Sequence, residues 1–483
     1  MIVSELLRGV PCKEVVGDKT VDIVSLTFDS RAVSEGSCFF AVEGTVVDGH
    51  NFIAGAVESG AKMVVCQHIP SQVEGVTFVV VEDTNAAMGI IASNFYKNPS
   101  HELKVVGVTG TNGKTTIATL LCDLVQSMGY KAGLISTVIY RVGTREITST
   151  HTTPDAIRLN AMMREMVDEG CEFCFMECSS HAIVQQRIHG IHFVGALFTN
   201  ITHEHLDYHK TFAEYIRAKK TFFDNLPKSA FALVNIDDRN GEVMLQNTKA
   251  SRHTLSLQKM ADFRAKIIEM LVEGMELRID DKEVWVQFLG RFNAYNLLTV
   301  YGAARLLGFD KDEVLAHLSA LQPVSGRFET VVAKDGTTAV VDFAHTPDAL
   351  ENIINTIDEL RTAGQRLIIV CGCGGDRDKT KRPVMGGMAA KMADIAIFTS
   401  DNPRTEDPEQ ILREMEEGVE TGNRYVKITD RHEAIKMAVM LAEPRDIILL
   451  AGKGHEDYQI IGTEKLPFND KKVVKEWFEK FNR

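Results

Sequence analysis

Val105-Val106-Gly107-Val108-Thr109-Gly110-Thr111-Asn112-Gly113-Lys114-Thr115-Thr116 reads as a buried strand that runs into a glycine-rich turn, with residues 117–128 predicted as the helix beyond it. A strand, turn and helix N-terminus in that order aim backbone N–H groups at an anion. Lys114 can neutralise phosphate there, and the Thr115 hydroxyl can hold Mg2+. The spacing is not that of the usual phosphate loop, whose two glycines stand about five positions apart. Here Gly110 lies three residues before Gly113, and Gly107 six before it. The loop predicts a nucleoside triphosphate ligand and leaves its use open.

Composition narrows the class. At 483 residues, and roughly 150 per domain, about three domains are expected. The chain is 45% hydrophobic and 25% charged, an ordinary globular balance. Its 53 Lys and Arg against 66 Asp and Glu give a net charge of −13, which argues against nucleic-acid and membrane partners. No apolar run reaches the ~18 residues of a membrane span, and residues 1–8 lack the basic-then-apolar order of a signal peptide. Nine cysteines, mostly in apolar or Gly-rich settings, predict free thiols in a reducing, cytoplasmic compartment. Cys171 with Cys174, and Cys371 with Cys373, have spacings that zinc sites use. The run Phe173-Cys174-Phe175-Met176 favours core thiols instead.

The order of apolar runs predicts an α/β chain of three domains. These are a small N-terminal α/β domain over residues 1–100, a central P-loop domain with a parallel sheet over 101–327, and a C-terminal Rossmann-like domain over 328–483. The first has strand-like runs at 37–42 and 76–81, helical stretches at 51–59 and 86–96, and a boundary at Lys97-Asn98-Pro99-Ser100. In the second, unbroken apolar runs at 104–108, 173–176, 195–199 and 231–235 predict strands covered on both faces. Residues 264–288 alternate instead, around Gly274 and Asp280-Asp281, and predict an antiparallel insertion. The third alternates strands at 339–342, 367–370, 395–399 and 446–450 with helical stretches. In doubly wound sheets ligands sit beyond the C-terminal strand ends. His345, Gly374-Gly375-Asp376-Arg377, Asp401-Asn402-Pro403-Arg404 and Gly452-Lys453-Gly454-His455-Glu456 all fall there.

Several side chains invite chemistry, each with a plainer alternative. Glu177, at the end of an apolar run, is placed to hold Mg2+, or is a solvated or capping residue. Ser179-Ser180-His181 after it suit an anion or sugar. Thr199-Asn200-Ile201-Thr202-His203-Glu204-His205-Leu206-Asp207-Tyr208-His209 carries three histidines in seven residues, as metal ligands or bases, or as surface residues of a helix cap. Lys219 and Lys220 lie on a predicted helix and cannot share a face, so one can point at a site while the other is solvated. Arg327, at the boundary of the second and third domains, could reach a phosphate on closure or form a hinge ion pair. Thr346 and Pro347 read as a helix start, which leaves His345 without a structural reason. Asp401-Asn402-Pro403-Arg404 offers a carboxylate, an amide and a guanidinium to a zwitterion, or is a turn with a surface pair.

Taken together, in order from Asp29-Ser30-Arg31 to Gly454-His455-Glu456-Asp457-Tyr458-Gln459, these motifs resemble the Mur ligase family, ATP-dependent amino-acid ligases of peptidoglycan precursor synthesis. Gly110-Thr111-Asn112-Gly113-Lys114-Thr115-Thr116 resembles that family's phosphate loop, short spacing included. The resemblance implies that ATP is bound by Gly110, Thr111, Asn112, Gly113, Lys114, Thr115, Thr116, Asn296, Arg327 and Asp342. It implies Mg2+ on Thr115, Glu177, His205 and a carbamylated Lys219, with Lys114, Glu177, His205 and Lys219 catalytic. Ser30, Thr45, Val46, Val47, Thr152, Thr153, Ser179, Gln185 and Arg187 match contacts to a UDP-MurNAc-dipeptide. Arg377, Asp401, Asn402, Pro403, Arg404, Gly452 and Glu456 match the pocket of the incoming amino acid. The Asp-Asn-Pro-Arg form resembles the version selecting meso-diaminopimelate, whose extra carboxylate Arg404 would grip. Phe343 stands where the family commonly has Tyr, His151 where Asn or Leu is usual, and Thr45-Val46-Val47 offer mostly backbone donors.

The resemblance therefore predicts addition of meso-diaminopimelate to the D-Glu of UDP-MurNAc-L-Ala-D-Glu through an acyl phosphate, by a cytoplasmic monomer. The alternatives are the lysine-adding member, a folate-polyglutamate-type relative, and, in a different class, a P-loop nucleotide switch. A guanine-type switch should carry Asn-Lys-x-Asp, and the nearest string, Asn235-Ile236-Asp237-Asp238, lacks the lysine. No base for the incoming amine is identifiable.

Overall fold

Val105, Val106 and Val108 leave the strand Lys104–Thr109 no polar face, so it belongs between two neighbours with cover on both sides. In the computed structural model, which describes residues 1–44, 47–70, 75–149, 151–271 and 273–483, it lies between Phe173–Glu177 and Phe193–Phe198 and runs parallel to both. Phe231–Asn235 and Ala132–Ile135 continue the parallel set on either side. Ile139–Val142 and Arg145–Thr148 add antiparallel strands beyond Ala132–Ile135. Gly107 is required by close packing: a Cβ there would stand 2.6 Å from the Phe222 ring and 2.8 Å from the Cys178 sulfur.

Two compact units make up the chain. One comprises Met1–Gly110, Ile117–Thr199 and Ile216–Thr254; the other comprises Thr111–Thr116, Asn200–Tyr215 and Leu255–Arg483. The first unit also contains a five-stranded sheet in the order Cys12–Val16, Thr77–Val81, Met63–Cys66, Ser37–Phe40, Ser25–Thr27, parallel except for its first strand. Apolar clusters cover both of its faces.

The second unit is built on a six-stranded sheet in the order Glu329–Val332, Thr338–Asp342, Ile447–Ala451, Leu367–Cys371, Ile395–Phe398, Tyr425–Lys427. Only its first pair is antiparallel, and two apolar clusters sandwich it. This is the doubly wound architecture predicted for the C-terminal part. The alternating region is an antiparallel meander of Phe263–Leu271, Gly274–Ile279 and Lys282–Val286, also as predicted.

Two features differ from expectation. The helix after the phosphate loop begins at Lys114, not at 117. Lys and Thr tolerate a first helical turn, but they hide its start from a reading based on apolar periodicity. The outer strands Ile139–Val142, Arg145–Thr148 and Tyr425–Lys427 were not foreseen, being short and partly exposed. Among the described residues, no helix is long and apolar enough to cross a membrane.

Parallel register aligns strand ends. Glu177 lies beside Val108 and Phe198 beside Thr109 in one sheet; Asp342 lies beside Ala451 and Phe398 beside Cys371 in the other. The polar loops therefore leave each sheet at its C-terminal edge, where strand topology leaves room for ligands.

Candidate active site

In the first unit a polar network forms at Glu177. This acid is 1% exposed. Its burial is tolerable because Thr137 reaches both oxygens: the N–H donates to Oε1 at 2.7 Å and the hydroxyl approaches Oε2 at 3.2 Å. The Thr137 hydroxyl is also 3.1 Å from that of Thr152. Thr153 donates its hydroxyl to the Glu177 carbonyl at 2.8 Å and accepts from the Ser179 N–H at 3.2 Å. Ser179 caps the helix Ser180–Val184. Arg187 donates to the Thr153 carbonyl at 2.8 Å and forks onto Gln185 Oε1. Five residues expected to hold the UDP-dipeptide thus converge on Glu177.

Ser30 sits elsewhere in this unit, in a short turn capped by Asp29, and Val47 is exposed. Thr45 and Val46 lie outside the described residues.

The two neighbouring lysines part as expected, but the second is largely covered and not solvated. Lys219 is buried and donates to the Gly110 carbonyl at 2.8 Å, while Lys220 pairs with Asp224 at 2.6 Å. Burial pushes the Cys178 thiol up; the Glu177 charge adds to the rise and the Lys219 charge opposes it.

In the second unit the loop Thr111–Thr116 is tied down by residues from the histidine-rich segment. Asn200 accepts from the Thr111 N–H at 2.8 Å through its carbonyl and from the Asn112 N–H at 2.9 Å through its side chain. Gly113 has φ +88, a conformation that favours glycine. Lys114 Nζ donates to the Thr111 carbonyl at 2.7 Å, and Asn112 donates to Asp348 at 2.7 Å. Arg327 donates to the Thr115 hydroxyl at 3.3 Å and lies over the Phe343 ring at 4.8 Å. The expected cation thus stands at the loop.

Glu204, which sequence reasoning left without a role, lies 3.6 Å from His345 and 3.7 Å from His205. Burial pushes its carboxyl up, but His345, His205 and Lys114 outweigh that and hold it well below the usual range. His345 therefore has a structural reason: one ring nitrogen meets the Phe343 carbonyl at 2.8 Å and the other faces Glu204.

Asp342 accepts from the Phe328 N–H at 2.7 Å. Burial raises its pKa to about 6 against the opposing Arg327 charge and the Phe328 and Ala344 N–H groups. His455, beside Phe343, is driven down to about 3 by burial and by the Arg327 and Lys453 charges, so it is neutral. Asn296 is buried and donates to Asn293 at 3.1 Å.

The amino-acid residues also gather in this unit. Asp401, Asn402 and Pro403 are buried, which corrects the surface-turn alternative. Asn402 donates to Glu456 at 2.8 Å and accepts from Lys453 at 3.1 Å and from the Ile460 N–H at 2.9 Å. Arg404, at φ +52, donates to the Gly375 carbonyl at 2.8 Å. Gly452 has φ +114, and a Cβ there would sit 2.6 Å from Asp401 Oδ2. Arg377 is exposed on the adjoining loop.

Lys453 is fully buried and paired with Glu456 at 2.8 Å. A lysine flanked by glycines gave no sign in sequence of that burial. Thr137 was missed for a similar reason: nothing local distinguishes it from other strand-end threonines. The cysteines are free thiols, and among the described residues no three His, Cys, Asp or Glu side chains cluster as metal ligands.

A glycine-turn phosphate loop after a parallel strand, buried carboxylates at strand ends and a second, doubly wound sheet define a multidomain nucleotide-binding α/β enzyme. Comparison with known proteins names the family. The Mur ligase family catalytic domain matches residues 22–96, the Mur ligase middle domain 108–304 and the Mur ligase glutamate ligase domain 326–454. The chain belongs to the Mur ligase family.

Among its relatives, a protein of Phocaeicola vulgatus named UDP-N-acetylmuramoyl-L-alanyl-D-glutamate--2,6-diaminopimelate ligase is 51% identical over 481 residues, 99% of each chain. A Clostridium acetobutylicum protein of that name, numbered 1, is 41% identical over 485 residues, again 99% of each. A solved structure of a ligase of that name matches with TM-score 0.72 and 30% identity, covering 100% of this chain and 99% of the other. The MurF ligase of Thermotoga maritima, solved with ADP, shares the fold with TM-score 0.63 at 18% identity, covering 96% and 99%.

Proposed function

We propose that this chain is an ATP-dependent ligase that joins meso-diaminopimelate to the D-Glu carboxylate of UDP-MurNAc-L-Ala-D-Glu. The observation that carries the choice of amino acid is the Asp401-Asn402-Pro403-Arg404 turn, buried as far as Pro403, with Asp401 facing Gly452. It presents an acid for an ammonium group and a guanidinium for a carboxylate. Full-length relatives at about half identity, named for 2,6-diaminopimelate, support the same reading.

The D-Glu carboxylate attacks the γ-phosphorus of ATP, the bond to the β–γ bridging oxygen breaks, and ADP leaves an acyl phosphate. Lys114 and Arg327, whose guanidinium already meets Thr115, stabilise the charge that spreads over the transferring group. The amine of diaminopimelate then attacks the acyl carbon, phosphate departs, and the amine loses a proton. Gln185, Arg187, Thr152, Thr153 and Ser179 orient the dipeptide substrate. Arg404, Arg377, Asp401, Asn402 and Glu456 orient the amino acid.

By the family resemblance, Thr115, Glu177, His205 and a carbamylated Lys219 would each supply a ligand to Mg2+, mostly the oxygen donors that a hard cation takes. A carbamate N–H would keep the Lys219 bond to Gly110 while adding anionic oxygens. Mg2+ held there would neutralise phosphate charge. The matched spans support domain boundaries near residues 100 and 327. The reading places the enzyme in the cytoplasm as a monomer.

Phosphate release from ATP should require both the UDP-dipeptide and diaminopimelate. Release indifferent to either would sink the ligase reading. Lysine in place of diaminopimelate should lower kcat/KM by about 10²-fold or more. Comparable use of lysine would make this the lysine-adding enzyme.

A further inference from the structure

A fully buried guanidinium lies behind the proposed amino-acid pocket. Arg382 has 0% side-chain exposure and donates to Glu406 at 2.9 Å through two nitrogens, to Glu414 at 2.6 Å and to the Gly374 carbonyl at 3.1 Å. A charge so enclosed is tolerable only when paired and hydrogen-bonded, and its fork geometry fixes whatever it touches.

The partners of Arg382 differ in kind. Glu414 is on the helix Pro408–Glu416. Glu406 and Gly374 lie on the two loops that carry the pocket residues. Glu406 accepts from the Asp376 N–H at 2.6 Å and pairs with Lys379 at 3.0 Å. Asp376 in turn accepts from the Thr405 hydroxyl at 2.8 Å and N–H at 3.2 Å. The two loops are thus stitched together just after Arg404 and next to Arg377.

That stitching holds an unfavourable backbone. Asp376 has φ +53 and Arg404 φ +52, left-handed values that cost non-glycine residues on the order of 1 kcal/mol or more each. The loops also touch closely: a Cβ on Gly375 would stand 1.8 Å from the Pro403 carbonyl oxygen, and one on Gly374 would stand 2.9 Å from the Arg404 guanidinium. Arg404 can present its guanidinium only while both loops keep these positions.

We infer that Arg382 and Glu406 are positioning residues that set amino-acid specificity by fixing the Arg377 and Arg404 loops. This rests on the amino-acid pocket assigned above. Neither residue touches substrate; they act by pre-organising residues that do.

Glu406→Gln and Glu414→Gln make the decisive pair, since each removes one carboxylate from the same buried guanidinium and only the first links to the loops. The wild type is assayed first with diaminopimelate and with lysine, which tests the assigned substrate by itself. The variants are then measured with whichever amino acid is used. Glu406→Gln should raise its KM by about tenfold, with the KM for ATP unchanged and the preference between the two amino acids reduced. Glu414→Gln should lower thermal stability and leave that KM within about twofold. Thr405→Val, on the exposed end of the link, guards against a folding defect and should raise the KM by about threefold. Equal KM effects of the two Gln variants, or no effect of Glu406→Gln and Thr405→Val, would overturn the inference.

Discussion

Glu177 and Asp401 occupy equivalent places in two different sheets and are handled in opposite ways. Each is a buried acid at or just past the C-terminal end of a parallel strand. Both oxygens of Glu177 meet Thr137. Asp401 Oδ2 is buried and, among the described residues, has no hydrogen-bond partner. A buried acceptor left unmade costs roughly 1–3 kcal/mol, more when charged. The missing Cβ of Gly452 keeps space open in front of that oxygen. The difference teaches what each acid is for. Thr137 fixes Glu177 in advance, which on the proposed function suits a group that holds a charge at a set point. Asp401 Oδ2 is left open, which on the proposed function suits an ammonium of the incoming amino acid.

The contrast can be broken at either acid. The largest effect is expected from Glu177→Gln, which keeps an oxygen for the Thr137 N–H and removes the charge. Turnover in a phosphate-release assay should fall by about 10³-fold, with the amino-acid KM little changed. A fall confined to the amino-acid KM would erase the distinction. Gly452→Ala comes next: its methyl would collide with Asp401 Oδ2 on a backbone at φ +114. The amino-acid KM should rise by about 10²-fold while the ATP KM stays put. Equal damage to both would mean that the space before Asp401 serves the fold and not a ligand.

How much of this could be read from the sequence follows from the range of the interactions. Strands covered on both faces are continuous apolar runs, so Phe173–Glu177 and Leu367–Cys371 were legible to within a residue or so. The chain order of motifs made Lys114, Glu177 and the Asp401–Arg404 turn candidates. What held those candidates in place was not legible. Thr137 reaches Glu177 across 40 positions, Arg382 reaches Glu406 across 24, and Lys453 reaches Asn402 across 51. No local pattern marks such pairs, because the sheet's crossover order, not sequence spacing, brings them together. Burial of Lys219 was likewise invisible. Its helix offered two adjacent lysines, and only packing chooses between them.

Asp342 sharpens the comparison as a third strand-end acid, intermediate between the other two. Its Oδ2 accepts from the Phe328 N–H at 2.7 Å, yet burial still lifts its pKa from an ordinary 3.8 to about 6. Between those values the folded state binds a proton that the unfolded state does not, so stability rises as pH falls from about 6 towards 3.8. Above pH 6 the charged, buried form carries a constant penalty, at most about 3 kcal/mol. Asp342→Asn removes the charge and leaves an oxygen for Phe328. It should raise stability towards denaturant by about 1–3 kcal/mol at pH 8, with the advantage shrinking by pH 4. ATP-dependent turnover should fall in the same variant. A charge retained against stability is what the proposed nucleotide contact of Asp342 requires, whereas a gain of the same size at both pH values would mean that the Asn acts through packing and not through the missing charge.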